Sequence, residues 1–97
     1  MMDARDYALI PEYTMESLRA YIDAGRPTGG FLEAMLSNDL SRAVGNADSN
    51  NLNAIAAIVC WLYNEAPSDC WGSPERVGQW LKQHREALER RAAVEAE

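Results

Sequence analysis

The residues best suited to chemistry sit close together in "GRPTGG", residues 25–30. If Thr28 caps a helix, Gly29 and Gly30 form its first turn, where backbone N–H groups have no partner within the helix. Without side chains in the way, such groups approach an anion closely, and the helix dipole favours negative charge at that end. Arg26, in the loop just before, adds a charge-assisted contact to phosphate or carboxylate. The same residues also read as a tight helix–helix connection and nothing more, because glycine-rich corners are common and the lysine of a P-loop is missing.

A second group lies in "WLYNEAPSDCWGS", residues 61–73. Trp71 falls in a turn, where it stacks on a base or folds back as a lid over a small core. Asn64 offers an amide that reads a polar edge. Asn38, in "SND" at residues 37–39, breaks an apolar stripe and either caps a new helix or faces a site. These residues, with Arg26, Thr28, Gly29 and Gly30, make up the expected ligand-binding set.

Catalysis finds little support. His84 is the only histidine, and it falls on the apolar side of a helix. Paired with Cys70 it would give a base and a nucleophile, but no third group stands at a recognisable spacing to orient the base. Two cysteines and one distant histidine do not form a closed zinc site. No pair of carboxylates is set apart by an apolar surround. The expectation is a non-enzymatic protein with no cofactor and no metal.

The elements that must position these residues are helices. Leu18 and Ile22, four apart, with Met15 and Tyr21 near the same face, predict a helix over 12–24 that ends at Gly25 and Pro27. Phe31, Leu32, Met35 and Leu36 predict a second, followed by Leu40, Ala43, Val44 and Ala47. This stretch reads as one kinked helix or as two meeting at Asn38. Residues 50–65 are apolar nearly all round from Ala54 to Leu62, which predicts a central core helix. Ser73, Pro74 and Glu75 open a last helix carrying Val77, Trp80, Leu81, His84 and Leu88. No stretch alternates with period two. The fold class is therefore all-α, a compact bundle of four to five helices around a central apolar helix. An N-terminal arm over 1–10, pinned by Tyr7, Leu9 and Ile10, precedes a helical domain over 11–90, and a frayed tail follows over 91–97.

The chain has 97 residues, enough for one domain, and a formal net charge of −6. That charge argues against general nucleic-acid binding and against a negatively charged membrane. The longest apolar run, residues 54–63, is about half of the roughly 20 residues a membrane-spanning helix needs. Cys60, inside that run, reads as a small buried hydrophobe, and Cys70 lies in a turn. A disulfide between them is not indicated, and the chain looks intracellular.

Residues 27–48 together with 61–80 resemble a widespread group of small bacteriophage-encoded helical proteins of unassigned function, over roughly residues 14–82. The resemblance implies a phage origin and action in the host bacterial cytoplasm. It carries over no catalytic residues. Small phage proteins without enzymatic signatures often counter host defence, and two modes follow. One sequesters a small anionic, nucleotide-like immune signal, using a phosphate site and an aromatic platform. The other binds a host defence protein directly through an acidic, partly apolar surface, as anti-CRISPR proteins do. A structural or regulatory helical module is the third reading. A homodimer is expected to complement a chain this small.

Overall fold

Turn-forming residues divide the chain into short helices, and the computed structural model describes residues 6–95. The expected arm falls partly on residues 1–5, outside the described residues. The remainder behaves as its composition predicts. Asp6 accepts a hydrogen bond from the Ala8 N–H at 3.0 Å and caps a single 3-10 turn, Tyr7–Leu9. Ile10 is buried, with Tyr7 and Leu9 packed against the core.

Six α-helices follow: α1 (Glu12–Ala24), α2 (Gly30–Leu36), α3 (Leu40–Asn46), α4 (Ser49–Asn53), α5 (Ile55–Glu65) and α6 (Pro74–Glu95). No strand occurs among the described residues. The count exceeds the expected four to five because the predicted helix over 50–65 breaks, in addition to the break at Asn38 that the sequence allows. The first break is at Asn38, which takes φ 62° and ends α2. Asn38 N–H donates to Met35 C=O at 3.1 Å and Asp39 N–H to Ala34 C=O at 2.8 Å, the bond pair of a Schellman turn. Asp39 then caps α3 by accepting from Arg42 N–H at 3.2 Å. The second break is at Ala54, whose φ of −107° and ψ of 3° separate α4 from α5. Asp48 caps α4, accepting from Asn51 N–H at 2.7 Å.

The core is built from positions spaced at helical repeat. α1 buries Thr14, Leu18 and Tyr21, one stripe at i, i+4, i+7. α2 buries five of its seven residues and packs on α3. α5 contributes Ala57, Ile58 and Leu62. Leu18, Leu36, Ile58 and Leu62 are fully buried, each stabilising the fold by about 1.5–3 kcal/mol. The α5 face opposite these residues is open to solvent, a correction to the expected all-round burial.

Polar side chains tie the helices together. Thr14 Oγ1 donates to Asn51 Oδ1 at 2.6 Å, a buried link from α1 to α4. Asn51 is therefore a core joint. Tyr21 OH donates to Cys70 C=O at 2.7 Å, and Gly72 N–H to Leu36 C=O at 2.7 Å. These two bonds fasten the 3-10 turn Ser68–Cys70 and the residues after it to α1 and α2. Both cysteines are free, but the burial order is reversed: Cys70 in its turn is fully buried and Cys60 only half-buried. α6 starts as its sequence predicts, with Ser73 Oγ accepting from Arg76 N–H at 3.1 Å. It runs on as helix to Glu95, past the expected end at 90. Its 22 residues make it about 33 Å long. That length accounts for the elongated outline of 57 × 23 × 22 Å. Among the described residues, no helix is long and apolar enough to cross a membrane.

Candidate functional site

The corner after α1 is shaped by one glycine. Gly25 has φ 65°, a left-handed conformation that side chains resist, and its N–H donates to Tyr21 C=O at 2.9 Å. A Cβ at this position would collide with the Cβ of His84 on α6. Backbone and imidazole are therefore in direct contact, and α6 lies closer to the end of α1 than any side chain at position 25 permits. Trp80, one turn before His84, fixes the same contact. Its indole Nε1 donates to Tyr21 C=O at 3.1 Å, and its ring centre lies 5.0 Å from that of His84.

Beyond this clamp the two elements diverge and leave a groove of about 730 Å³. That volume falls within the range of small-molecule sites. Leu81, Ala87 and Leu88 supply its apolar surface. Arg26 reaches it from the corner, and Arg85 and Arg91 from α6, with Asp23 the one acid on its lining. Among the described residues, the ion pairs within 4.0 Å all belong to Arg42, which meets Glu33 at 3.9 Å and Asp39 at 3.7 Å. The three groove arginines are thus left to other partners. Arg85 and Arg91 are six residues apart on one helix, about 9 Å along its axis. Guanidinium groups so placed suit an elongated ligand with phosphate or carboxylate groups, each taken by a planar fork of N–H donors.

Of the expected ligand-binding set, Arg26 alone lines this groove. Thr28 is half-buried and does not cap α2. Gly29 is the cap residue, with φ −74° and ψ 176°, and no side chain caps the helix start. Gly29 and Gly30 are exposed. A Cβ at Gly29 would meet nothing within 4 Å, and one at Gly30 would meet Asn46 Oδ1 at 3.5 Å. The start of α2 is open, as the anion reading requires, but the helix has only seven residues. Asn38 is exposed and performs the left-handed turn described above. Asn64 donates from Nδ2 to Tyr7 OH at 3.2 Å, holding the N-terminal 3-10 turn against α5. Trp71 is half-buried against the core, its ring edge-on to Tyr63 at 6.1 Å. Gly72 binds the end of α2, so Trp71 lies at the opposite end of that helix from the glycine pair, about 10 Å away. These residues are spread over the surface rather than gathered around one cavity.

Of the groove arginines on α6, Arg91 falls in the predicted frayed tail, and Arg85 lies between the apolar positions that predict the helix. The signal available was Arg85, Leu88 and Arg91 at i, i+3, i+6, which places two cations and an apolar side chain on one helical face. The Cys70–His84 pairing gains no support: Cys70 is fully buried, and burial pushes its thiol up to about 11. At neutral pH it stays protonated.

A second concavity of about 500 Å³ lies along the start of α6, lined there by Glu75, Gln79, Trp80 and Gln83 and by Asp69 from the preceding turn. It carries one cation, Arg76, whose Nη1 donates to Ser68 C=O at 3.2 Å and to Trp71 C=O at 3.4 Å. Among the described residues no cluster of His, Cys, Asp and Glu could hold a metal ion. In comparisons with known proteins, the chain matches no family model, no curated protein and no solved structure.

Proposed function

We propose that this protein is a phage-encoded, non-enzymatic binding protein. It counters host defence in the bacterial cytoplasm by sequestering a small nucleotide-like signal in the groove between the end of α1 and α6. One observation carries the reading. In a chain of net charge −6, Arg26, Arg85 and Arg91 stand around an apolar floor without ion-pair partners among the described residues. An acidic protein that keeps three guanidinium groups unneutralised on one concave surface is suited to an anion with an apolar body. The phosphates of a nucleotide meet the guanidinium forks, and Leu81 and Leu88 cover its less polar face. The phage origin and the defence setting rest on the sequence resemblance described above.

Calorimetry against a panel of cyclic dinucleotides, ADP-ribose-type nucleotides and inorganic phosphate tests this. At least one nucleotide is expected to bind with one site per chain, more weakly as salt rises. Arg85→Glu should weaken it by more than about tenfold, since it both removes and reverses a charge. Gly30→Glu should leave it nearly unchanged. Failure of the parent protein to bind any member of the panel overturns the reading. Loss with Gly30→Glu but not with Arg85→Glu moves the ligand to the start of α2 and overturns the groove.

A further inference from the structure

The groove between the end of α1 and α6 holds one carboxylate that anion binding does not explain. Asp23 lines it together with Arg26, Arg85 and Arg91. The ion pairs within 4.0 Å among the described residues leave it out, so it stands farther than that from each of these guanidinium groups. Its place on the helix is unfavourable as well. Asp23 lies in the last turn of α1, at the negative end of the helix dipole, and no basic residue offsets it there. Two contacts fix which end of the groove it occupies. Tyr21 meets Trp80 and Gly25 meets His84, each pair 59 residues apart in the chain. The two helices therefore advance in the same direction here. Asp23 precedes Gly25 and Leu81 precedes His84, so both lie at the bundle end of the groove. Arg91, seven residues past His84, lies about 10 Å further out along α6.

Resting on the nucleotide reading above, we propose that Asp23 is the specificity-determining residue of the groove and that its ligand is a guanine nucleotide. A carboxylate repels phosphate, so the part of the ligand beside Asp23 is a hydrogen-bond donor. The two oxygens of a carboxylate accept a parallel pair of donors. Guanine presents such a pair on one edge, N1–H beside the N2 amine. Adenine sets its N6 amine beside an acceptor, N1, and cytosine sets its N4 amine beside N3, so each turns a lone pair towards the carboxylate. Uracil and thymine carry one N–H between two carbonyls. The groove is thus divided along its length. Asp23 takes the base edge, Leu81 gives the base an apolar surface, and the arginines take the phosphates towards the outer end.

Calorimetry with GDP, ADP and inorganic pyrophosphate tests this. GDP should bind at least about tenfold tighter than ADP, the discrimination one bidentate contact supplies. Asp23→Asn keeps the side chain's size, removes its charge and puts a donor where an acceptor stood. It should weaken GDP by about tenfold and bring it level with ADP. Pyrophosphate, which has no base, should bind the variant at least as tightly as the parent, because a repelling charge is gone. A variant that merely loosened the groove would weaken all three probes, and that result overturns the inference. Equal binding of GDP and ADP by the parent overturns it too and leaves the nucleotide reading standing, since the ribose diol is the same in both. A preference for GDP that survives Asp23→Asn takes the role away from Asp23. A parent protein that binds neither GDP nor ADP, while another nucleotide binds and Arg85→Glu weakens it, overturns the guanine assignment alone. No binding by any nucleotide removes both readings.

Discussion

The corner at Gly25 and the corner at Gly29–Gly30 lie four residues apart and use the same amino acid for different reasons. At Gly25 the backbone is left-handed and the neighbouring helix touches the main chain, so two independent constraints exclude a side chain. At Gly29 the backbone is extended and the surroundings are empty. At Gly30 it is helical with only an ordinary contact. One corner is a packing joint and the other an uncovered helix start. Glycine in a sequence marks a place where a side chain is absent. Only the φ angle and the neighbours tell whether the absence is needed.

Substitutions separate the two corners. Gly25→Ala should lower stability by more than about 2 kcal/mol, combining the left-handed penalty with overpacking against His84. Urea or thermal unfolding measures it. An effect under about 0.5 kcal/mol would show that α6 moves freely away from α1, and the clamp that bounds the groove would be lost with it. Trp80→Phe keeps the ring on that joint but removes the Nε1 donor. Tyr21 C=O still accepts from Gly25 N–H, so a loss of only about 1 kcal/mol is expected. Gly30→Ala should act in the opposite direction and stabilise by about 0.5–1 kcal/mol, because alanine is the better helix former and its methyl fits beside Asn46. Destabilisation there would mean that the start of α2 is tighter than its open surroundings indicate.

A third corner, between α3 and α4, is governed by charge and gives the smallest effect. Asp48 accepts hydrogen bonds from Tyr13 OH and from Asn51 N–H, and these hold its carboxyl below the usual aspartate range, with Tyr13 the larger cause. The same bond raises the Tyr13 phenol. Because the folded pKa of Asp48 is the lower one, its contribution to stability is present in full above the ordinary carboxylate pKa. It is lost as pH falls through the lowered value. Tyr13→Phe should remove most of that dependence. The fall in urea midpoint between neutral pH and about pH 3 should then be shallower in the variant than in the parent.

Much of the fold was legible in the chain. The helix over 12–24, its end at Gly25, the capped start at Ser73–Pro74 and the turn at Asn38 all follow from local chemistry, and each appears where that chemistry acts. The break at Ala54 was hidden, because alanine carries no turn signal. The open face of α5 was hidden as well. Apolar residues all round a helix indicate burial, but they do not say how many neighbours arrive to cover it. The candidate site was legible only at Arg26. Trp71 and Asn64 are polar or aromatic enough for recognition, yet they hold the core and the N-terminal 3-10 turn.

Local rules thus determined, from the sequence alone, that this protein is helical, where most of its helices begin and end, and that it carries a strong negative charge. Backbone torsion preferences, caps and apolar spacing act over a few residues and can be read within them. Which faces are left uncovered was decided only in the tertiary structure. Gly25 meets His84 across almost sixty residues of chain. Arg26 shares a groove with Arg91 because α1 ends at the point where α6 passes. Contacts at that separation depend on how all the helices pack together, and no window of sequence contains them.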